Sequence, residues 1–260
     1  MKRLLYHYTA IIICCVFAAS CEIDNYKAPD ATIQGTIYDH NGQPLQVNQG
    51  SQYLRMREVS WVTGDTTVFI GNQTLKMQQD GTYRHTKWFS GQYRMLPYNG
   101  PFYPYWDAND PIKDGDDAGE LVDISGTTTK DFTVTPYLTI EWVKKPAVTA
   151  DNFIECSVRF KRNQKAGYGM PDLREGWLRV SRTINAGAFD ADLFTRSIAL
   201  TNSMEGEEIT FRTSQAVKYT GIDYWIRITM SCQTAAGDAT TNYPGMGADN
   251  CSTIEQIHVP

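Results

Sequence analysis

The feature that most constrains the fold is a short alternation of apolar and polar residues, interrupted repeatedly by glycine turns. The segment "ATIQGTIYD" (31–39) alternates in this way and runs into an Asn41-Gly42 turn. Asp80-Gly81 and Ser90-Gly91 mark two further turns, each followed two residues later by a tyrosine. Apolar residues spaced two apart share one face of a β-strand, and glycine supplies the turn backbone. No segment sustains a helical period, and the best helix candidate, 188–195, covers one or two turns. The pattern predicts an all-β protein.

The first 20 residues have the composition of an export signal. Lys2 and Arg3 precede an apolar run that is too short to span a bilayer. The small residues 18–20 stand directly before Cys21, which is the arrangement of a bacterial lipoprotein cleavage site. We therefore predict a lipoprotein signal peptide over 1–20, a lipidated Cys21 that anchors the chain to a membrane, and a polar tether over 21–30. Acyl chains add about 0.8 kcal/mol per buried methylene, so two or three of them would hold the protein stably.

The remaining chain is long enough for two domains, and Pro136 supplies a boundary. Proline cannot donate to a central strand ladder, and alternating segments lie on both sides of it. We predict β-sandwiches over 31–136 and 137–260. The second half is similar to an immunoglobulin-like or fibronectin-like sandwich, with seven candidate strands at 137–143, 153–161, 176–182, 196–200, 208–213, 224–232 and 252–259.

The first half resembles known families through several quoted motifs. "ATIQGTIYDHNGQPL", the Asp-Gly-Thr-Tyr turn and "WFSGQYRM" are similar to the prealbumin-like or carboxypeptidase-regulatory-like sandwich. Cys21, "DNYKAPDATIQG", "FSGQYRMLPYNGPFYP" and "DFTVTPYL", in that order and spacing, resemble the two-domain Bacteroidetes lipoproteins grouped as domain-of-unknown-function family 3823. This resemblance implies an envelope lipoprotein associated with polysaccharide utilisation, often encoded beside an outer-membrane transporter and a glycan-binding lipoprotein. It implies no catalytic residue.

Three cysteines, Cys156, Cys232 and Cys251, remain beyond the lipidation site. In an up-and-down strand count, Cys156 and Cys232 lie at opposite ends of the second sandwich. Cys232 ends one predicted strand and Cys251 begins the next, so the two would lie side by side at the base of a hairpin. We predict a Cys232–Cys251 disulfide, with three buried free thiols as the alternative.

Composition and motifs exclude several classes of function. The net charge is −5, and no basic stripe indicates nucleic-acid binding. No nucleophile elbow, phosphate-binding glycine loop or His-Glu-x-x-His motif is present, so we predict no enzyme activity and no cofactor. The acidic run 107–120 offers oxygen ligands, but Pro111 occupies the fifth position of an EF-hand-like loop and no glycine follows it. We therefore predict no metal site.

The stretch "YNGPFYPYWDANDP" (98–111) combines aromatic rings with acids and amides. Exposed aromatic rings beside hydrogen-bonding groups are typical of sugar-binding surfaces, because pyranoses present apolar C–H faces. The candidate ligand contacts are Tyr103, Tyr105, Trp106, Asp107 and Asn109. The alternative is packing, since the prolines at 97, 101 and 104 indicate an extended connector whose tyrosines would be core.

These observations favour a non-catalytic lipoprotein that binds an oligo- or polysaccharide, or assists a polysaccharide-import system as a partner of its transporter and glycan-binding lipoprotein. The alternative is a structural or adhesin-like lipoprotein that contacts other proteins. Glu22 and Asp24 resemble acidic surface-export signals, which favours the outer membrane with exposure at the cell surface.

Overall fold

The structure, a computed structural model, describes residues 28–48, 53–59, 71–106, 118–187, 196–237 and 240–260. The described residues form strands and one short 3₁₀ helix, Asn202–Met204, so the predicted all-β class is confirmed. The strands are β1 Ala31–Asp39, β2 Tyr53–Glu58, β3 Gln73–Lys76, β4 Thr82–Trp88, β5 Gly91–Tyr98, β6 Glu120–Ile124, β7 Thr127–Thr129, β8 Phe132–Val134, β9 Leu138–Val148, β10 Ile154–Arg162, β11 Pro171–Ser181, β12 Arg196–Ala199, β13 Ile209–Arg212, β14 Ile222–Ala236, β15 Asn250–Cys251 and β16 Glu255–Val259. The predicted helix candidate at 188–195 lies outside the described residues.

The N-terminal sandwich consists of two sheets with β1 and β5 as their central strands. In the first sheet β1 pairs with β4 in antiparallel fashion and with β7 and β8 in parallel fashion, while the second sheet has the order β3-β2-β5-β6. The alternation in β1 buries Ile33 and Ile37 completely, because residues two apart share a face. These side chains pack with Tyr83 and Tyr93, the two tyrosines that follow the glycine turns.

The C-terminal sandwich contains all seven strands predicted for it, with shifted bounds. One sheet has the order β13-β10-β9, and the other has β12-β11-β14 with β15 and β16 also paired to β14. Alternating positions 224–232 of β14 are fully buried in the core, as predicted. Three strands are longer than predicted: β9 continues to Val148, β11 begins at Pro171 and β14 continues to Ala236.

The chain passes from the N-terminal core to the C-terminal core near residue 102. The bounds of the two domains stay a prediction. Phe102 belongs to the N-terminal core, whereas its neighbour Tyr103 belongs to the C-terminal core. Tyr103 N donates to Thr135 O, and Tyr137 N donates to Pro101 O. The segment 101–103 therefore runs beside the predicted boundary and ties the two sandwiches together.

A second tie comes from Arg227, the largest side chain that is completely buried. Its guanidinium donates from Nη1 to Val47 O at 2.9 Å and from Nη2 to Ser252 O at 2.8 Å. Beside it, Asn48 Nδ2 donates to Asp249 Oδ2 at 2.9 Å. Val47 and Asn48 follow β1, while the other groups belong to the C-terminal sandwich, so these bonds fix the segment after β1 against that sandwich.

The predicted Cys232–Cys251 disulfide is not formed, since all three described cysteines are buried free thiols. Strand register explains the correction. Cys251 pairs with Thr229, three residues from Cys232, and residues three apart on a strand face opposite sides. Cys232 accordingly lies in the C-terminal core, whereas the Cys251 Sγ lies 3.6 Å from Asn48 Oδ1. Burial raises the pKa of the Cys156 and Cys232 thiols to about 12 and that of Cys251 to about 11.

We expect these thiols to be unreactive in the native protein, because buried, protonated thiols are poor nucleophiles. In the chain from Glu22 onward, a thiol reagent should label none of them rapidly under native conditions and all three after denaturation. Only one reactive thiol after denaturation without reductant would instead indicate the disulfide.

Gly245 provides a test of the contact between the sandwiches. It has a φ of +75°, and a Cβ at this position would lie within 2.5 Å of Gly100 N. Gly42 has a similar φ of +78°, but a Cβ there would meet nothing within 4 Å. Both Gly→Ala changes incur the left-handed backbone cost of about 1–2 kcal/mol. We expect Gly245→Ala to lower the free energy of unfolding by about 2 kcal/mol more than Gly42→Ala, because overpacking adds to that cost. Urea unfolding measures the difference, and equal losses would contradict the close approach.

Candidate ligand-binding site

The aromatic connector 101–106 places Tyr103 in the interior. Its side chain is 1% exposed, its hydroxyl donates to Asn163 O at 2.9 Å, and its ring lies 4.7 Å from that of Tyr137. A ligand has no access to either face of a ring buried in this way. The prediction of Tyr103 as a ligand contact is therefore corrected: the residue is part of the C-terminal core.

Lys165 holds the next part of the connector through its backbone. Its ammonium donates to three consecutive carbonyl oxygens, those of Pro104 at 2.6 Å, Tyr105 at 3.2 Å and Trp106 at 3.0 Å. The hydroxyl of Tyr168 donates to Trp106 O as well, at 2.7 Å. Hydrogen bonds from a charged donor are stronger than neutral ones, so residues 104–106 have a fixed path.

Tyr105 turns toward the N-terminal sandwich. Its hydroxyl donates to Glu120, which also forms an ion pair with Lys130, and its ring meets that of Phe132 edge-on at 5.7 Å. Burial and the Glu120 carboxylate raise the pKa of Tyr105. Burial opposes ionisation of Glu120, but its bonds to Lys130 and Tyr105 lower its pKa overall. The polar end of Tyr105 is thus occupied within the protein, and only part of its ring is exposed.

Among the predicted contacts that the structure describes, Trp106 is the one best placed to meet a ligand. Its ring lies 6.4 Å from that of Tyr98 at an interplanar angle of 32°. The Arg55 guanidinium lies over the Tyr98 ring at 5.0 Å. The ladder pairs Arg55 with Leu96, two residues from Tyr98, so both side chains share a sheet face. We call Arg55, Tyr98 and Trp106, all partly exposed, the aromatic platform.

The other predicted residues contribute no geometry to this site. Asp107, Asn109 and the lipidation residue Cys21 lie outside the described residues. Arg55, Lys165 and Tyr168 were not predicted, because they lie on distant segments and nothing in their local sequence marks them as neighbours of the connector.

The described ranges hold neither a metal-ligand cluster nor a membrane-spanning helix. No three His, Cys, Asp or Glu side chains there come together as potential metal ligands. No helix in those ranges is long and apolar enough to cross a bilayer.

Comparison with known proteins gives a consistent family. Residues 31–135 match the N-terminal domain of the protein of unknown function DUF3823. A comparison with curated proteins gave no match. Among solved structures, a DUF3823 family protein from Bacteroides uniformis is 25% identical with a TM-score of 0.70, and one from Parabacteroides merdae is 16% identical with a TM-score of 0.62. A candidate carbohydrate-binding protein from Bacteroides uniformis is 21% identical with a TM-score of 0.62.

Each of these three likenesses covers 89% of this chain and all of the other chain, and none of the three proteins is named as an enzyme. The family match at the N-terminal domain and the whole-length likeness in fold agree with the resemblance found in the sequence. Residues 31–135 of this chain therefore match the DUF3823 N-terminal domain, and the chain shares its fold along its length with DUF3823 family proteins of unknown function.

Proposed function

We propose that this protein is a non-catalytic cell-envelope lipoprotein that binds glycan at the aromatic platform. The observation that supports the proposal most directly is the fixed pair of partly exposed rings, Tyr98 and Trp106, with the Arg55 guanidinium beside them. The rings offer apolar faces to the C–H face of a pyranose, and the guanidinium offers donors to its hydroxyls.

Rigidity supports the same proposal. Lys165 and Tyr168 hold the backbone that presents Trp106, and Tyr98 lies at the end of β5 in a four-stranded sheet. A binding surface that is ordered before the ligand arrives loses little conformational entropy on binding. This small entropy loss matters for a shallow sugar-binding site, because each contact there contributes little to the free energy of binding.

The comparison with solved structures is consistent with this function. The candidate carbohydrate-binding protein from Bacteroides uniformis shares the fold along the whole of its chain. The match of residues 31–135 to a domain of unknown function leaves the function itself open, so the proposal rests on the platform.

The cellular setting follows from the N-terminal sequence. The lipid on Cys21 would anchor the protein in the outer membrane, and Glu22 and Asp24 favour exposure at the cell surface. In this setting the protein would present captured polysaccharide to an outer-membrane transporter and its glycan-binding lipoprotein, the partners proposed for it.

Trp106→Ala tests the platform. The change removes one ring of the pair, so we expect it to weaken binding of a recognised polysaccharide at least tenfold in calorimetric titration of the chain from Glu22. Phe89→Ala is the matched control, because Phe89 is 41% exposed but does not belong to the platform. Circular dichroism checks that both variants are folded. Equal affinities for the folded Trp106→Ala variant and the native chain would contradict a role for the platform.

Cys21→Ala tests the anchor. Without the thiol no acyl group can be attached, so we expect the variant to move from the membrane fraction to the soluble fraction or to remain as an uncleaved precursor. Cys251→Ala is the control, since that thiol lies in the folded part. Fractionation followed by mass measurement of the N-terminal peptide distinguishes the cases, and a mature acylated Cys21→Ala chain would contradict the prediction.

A further inference from the structure

A cleft of about 740 Å³ lies between the two sandwiches, away from the aromatic platform. One wall is the turn 39–46 that follows β1, and the other is formed by β9, β10 and the turn at Gly206. No residue of the platform lines it. Ligand sites occur preferentially at such domain interfaces.

The first wall is ordered by Asp39. Its buried carboxylate accepts backbone N–H bonds from Asn41 at 2.8 Å and from Gln43 at 2.9 Å, and its own N–H donates to Gln43 O. These bonds use the Asp39 carboxylate and the backbone of residues 39–43, but not the side chains of His40, Asn41 and Gln43. The side chains of His40, Asn41 and Gln43 are left exposed along the cleft.

The second wall is ordered by strand register. Arg159 on β10 stands opposite Glu141 on β9, and Lys161 stands opposite Thr139. These residues alternate with buried ones, so they share the outer face of the sheet. Arg159 is held by a bond from its Nε to Gly206 O at 2.6 Å.

Within the described ranges, five polar side chains of the cleft have no hydrogen-bond or ion-pair partner in the protein: His40, Asn41, Gln43, Glu141 and Lys161. Together they offer donors and acceptors. The apolar residues Pro44, Pro136 and Ile140 lie between them in the lining. A ligand that matches this surface needs many hydroxyls, which both donate and accept hydrogen bonds, and some apolar C–H surface.

The charged residues of the cleft lining restrict the net charge of a suitable ligand. Arg159 and Lys161 are accompanied by Asp39, Glu141 and Glu205 in the same lining, so both signs are present close together. An anionic or a cationic ligand would meet a like charge in either case, and such contacts are unfavourable. A neutral ligand can hydrogen-bond to both kinds of group.

From this geometry we propose that the interdomain cleft is a second binding site, for a neutral oligosaccharide. The inference deepens the proposed glycan-binding function and rests on it, but uses different residues. The walls belong to different sandwiches, which the Arg227 and Asn48 bonds hold together, so the site exists before the ligand binds.

The test is calorimetric titration of the chain from Glu22, which contains all the described residues. The probes are cellohexaose, xylohexaose and mannohexaose, with hexagalacturonate as the charged comparison. Gln43→Ala/Lys161→Ala removes one unpaired group from each wall, and we expect it to raise the Kd of the bound neutral hexasaccharide at least tenfold. Lys144→Ala is the control: this β9 lysine pairs with Glu208 at 3.0 Å outside the cleft, and its loss should change the Kd less than twofold.

Each outcome separates the two proposals. Weaker binding in the double variant but not in Lys144→Ala supports the cleft. An unchanged double variant together with weakened Trp106→Ala overturns the cleft and leaves the platform function intact. Tighter binding of hexagalacturonate than of every neutral probe overturns the neutral class of ligand. Absence of binding by all four probes at millimolar concentration overturns both.

Discussion

The arrangement of this molecule depends on one buried guanidinium. Arg227 is completely buried, and its guanidinium donates to two backbone carbonyls, Val47 O from one sandwich and Ser252 O from the other. A buried charge is tolerated only while its hydrogen-bond partners stay in place. The segment after β1 therefore cannot leave the C-terminal sandwich without losing an acceptor from the interior. Because the buried charge of Arg227 needs both acceptors, the contact between the sandwiches has to be kept. This contact determines their relative position.

Both candidate sites inherit their geometry from that position. In the platform, Tyr98 and Arg55 come from the N-terminal sheet, whereas Trp106 packs against the C-terminal core. In the cleft, the turn 39–46 faces β9 and β10. Lys165 also fixes the position of the connector, because its ammonium donates to three connector carbonyls. A hinge motion between the sandwiches would separate the residues of either candidate site. We therefore expect binding at either one to proceed with little change in backbone conformation.

Local patterns predicted what depends on local chemistry. Alternation located β1 and β14. Gly81, with a φ of +77°, forms the predicted turn before the core residue Tyr83, whereas Gly91 is already the first residue of β5, the strand that contains the core residue Tyr93. The aromatic connector was harder to predict, since five aromatic residues in the nine positions 98–106 are compatible with both a core and a surface. Tyr103 points inward because it packs in the C-terminal core. The cysteine prediction failed on register: adjacent strand ends suggested proximity, but Cys251 is opposite Thr229. The cleft joins residues about a hundred positions apart, and no local pattern marks such a pair.

The groups that maintain the fold and the groups that face the cleft are separate sets. Arg227, Asn48 and Tyr103 are buried and hydrogen-bonded. The side chains of Gln43, Glu141 and Lys161 have no hydrogen-bond or ion-pair partner among the described residues and could change without disturbing a core. Solved structures with 14% to 25% identity share the fold. Fold does not determine function when the site is built from replaceable side chains. Under the cleft proposal, ligand preference should therefore follow the residues at positions 40, 41, 43, 141 and 161, so that two proteins with the same two sandwiches would differ in the glycans they bind.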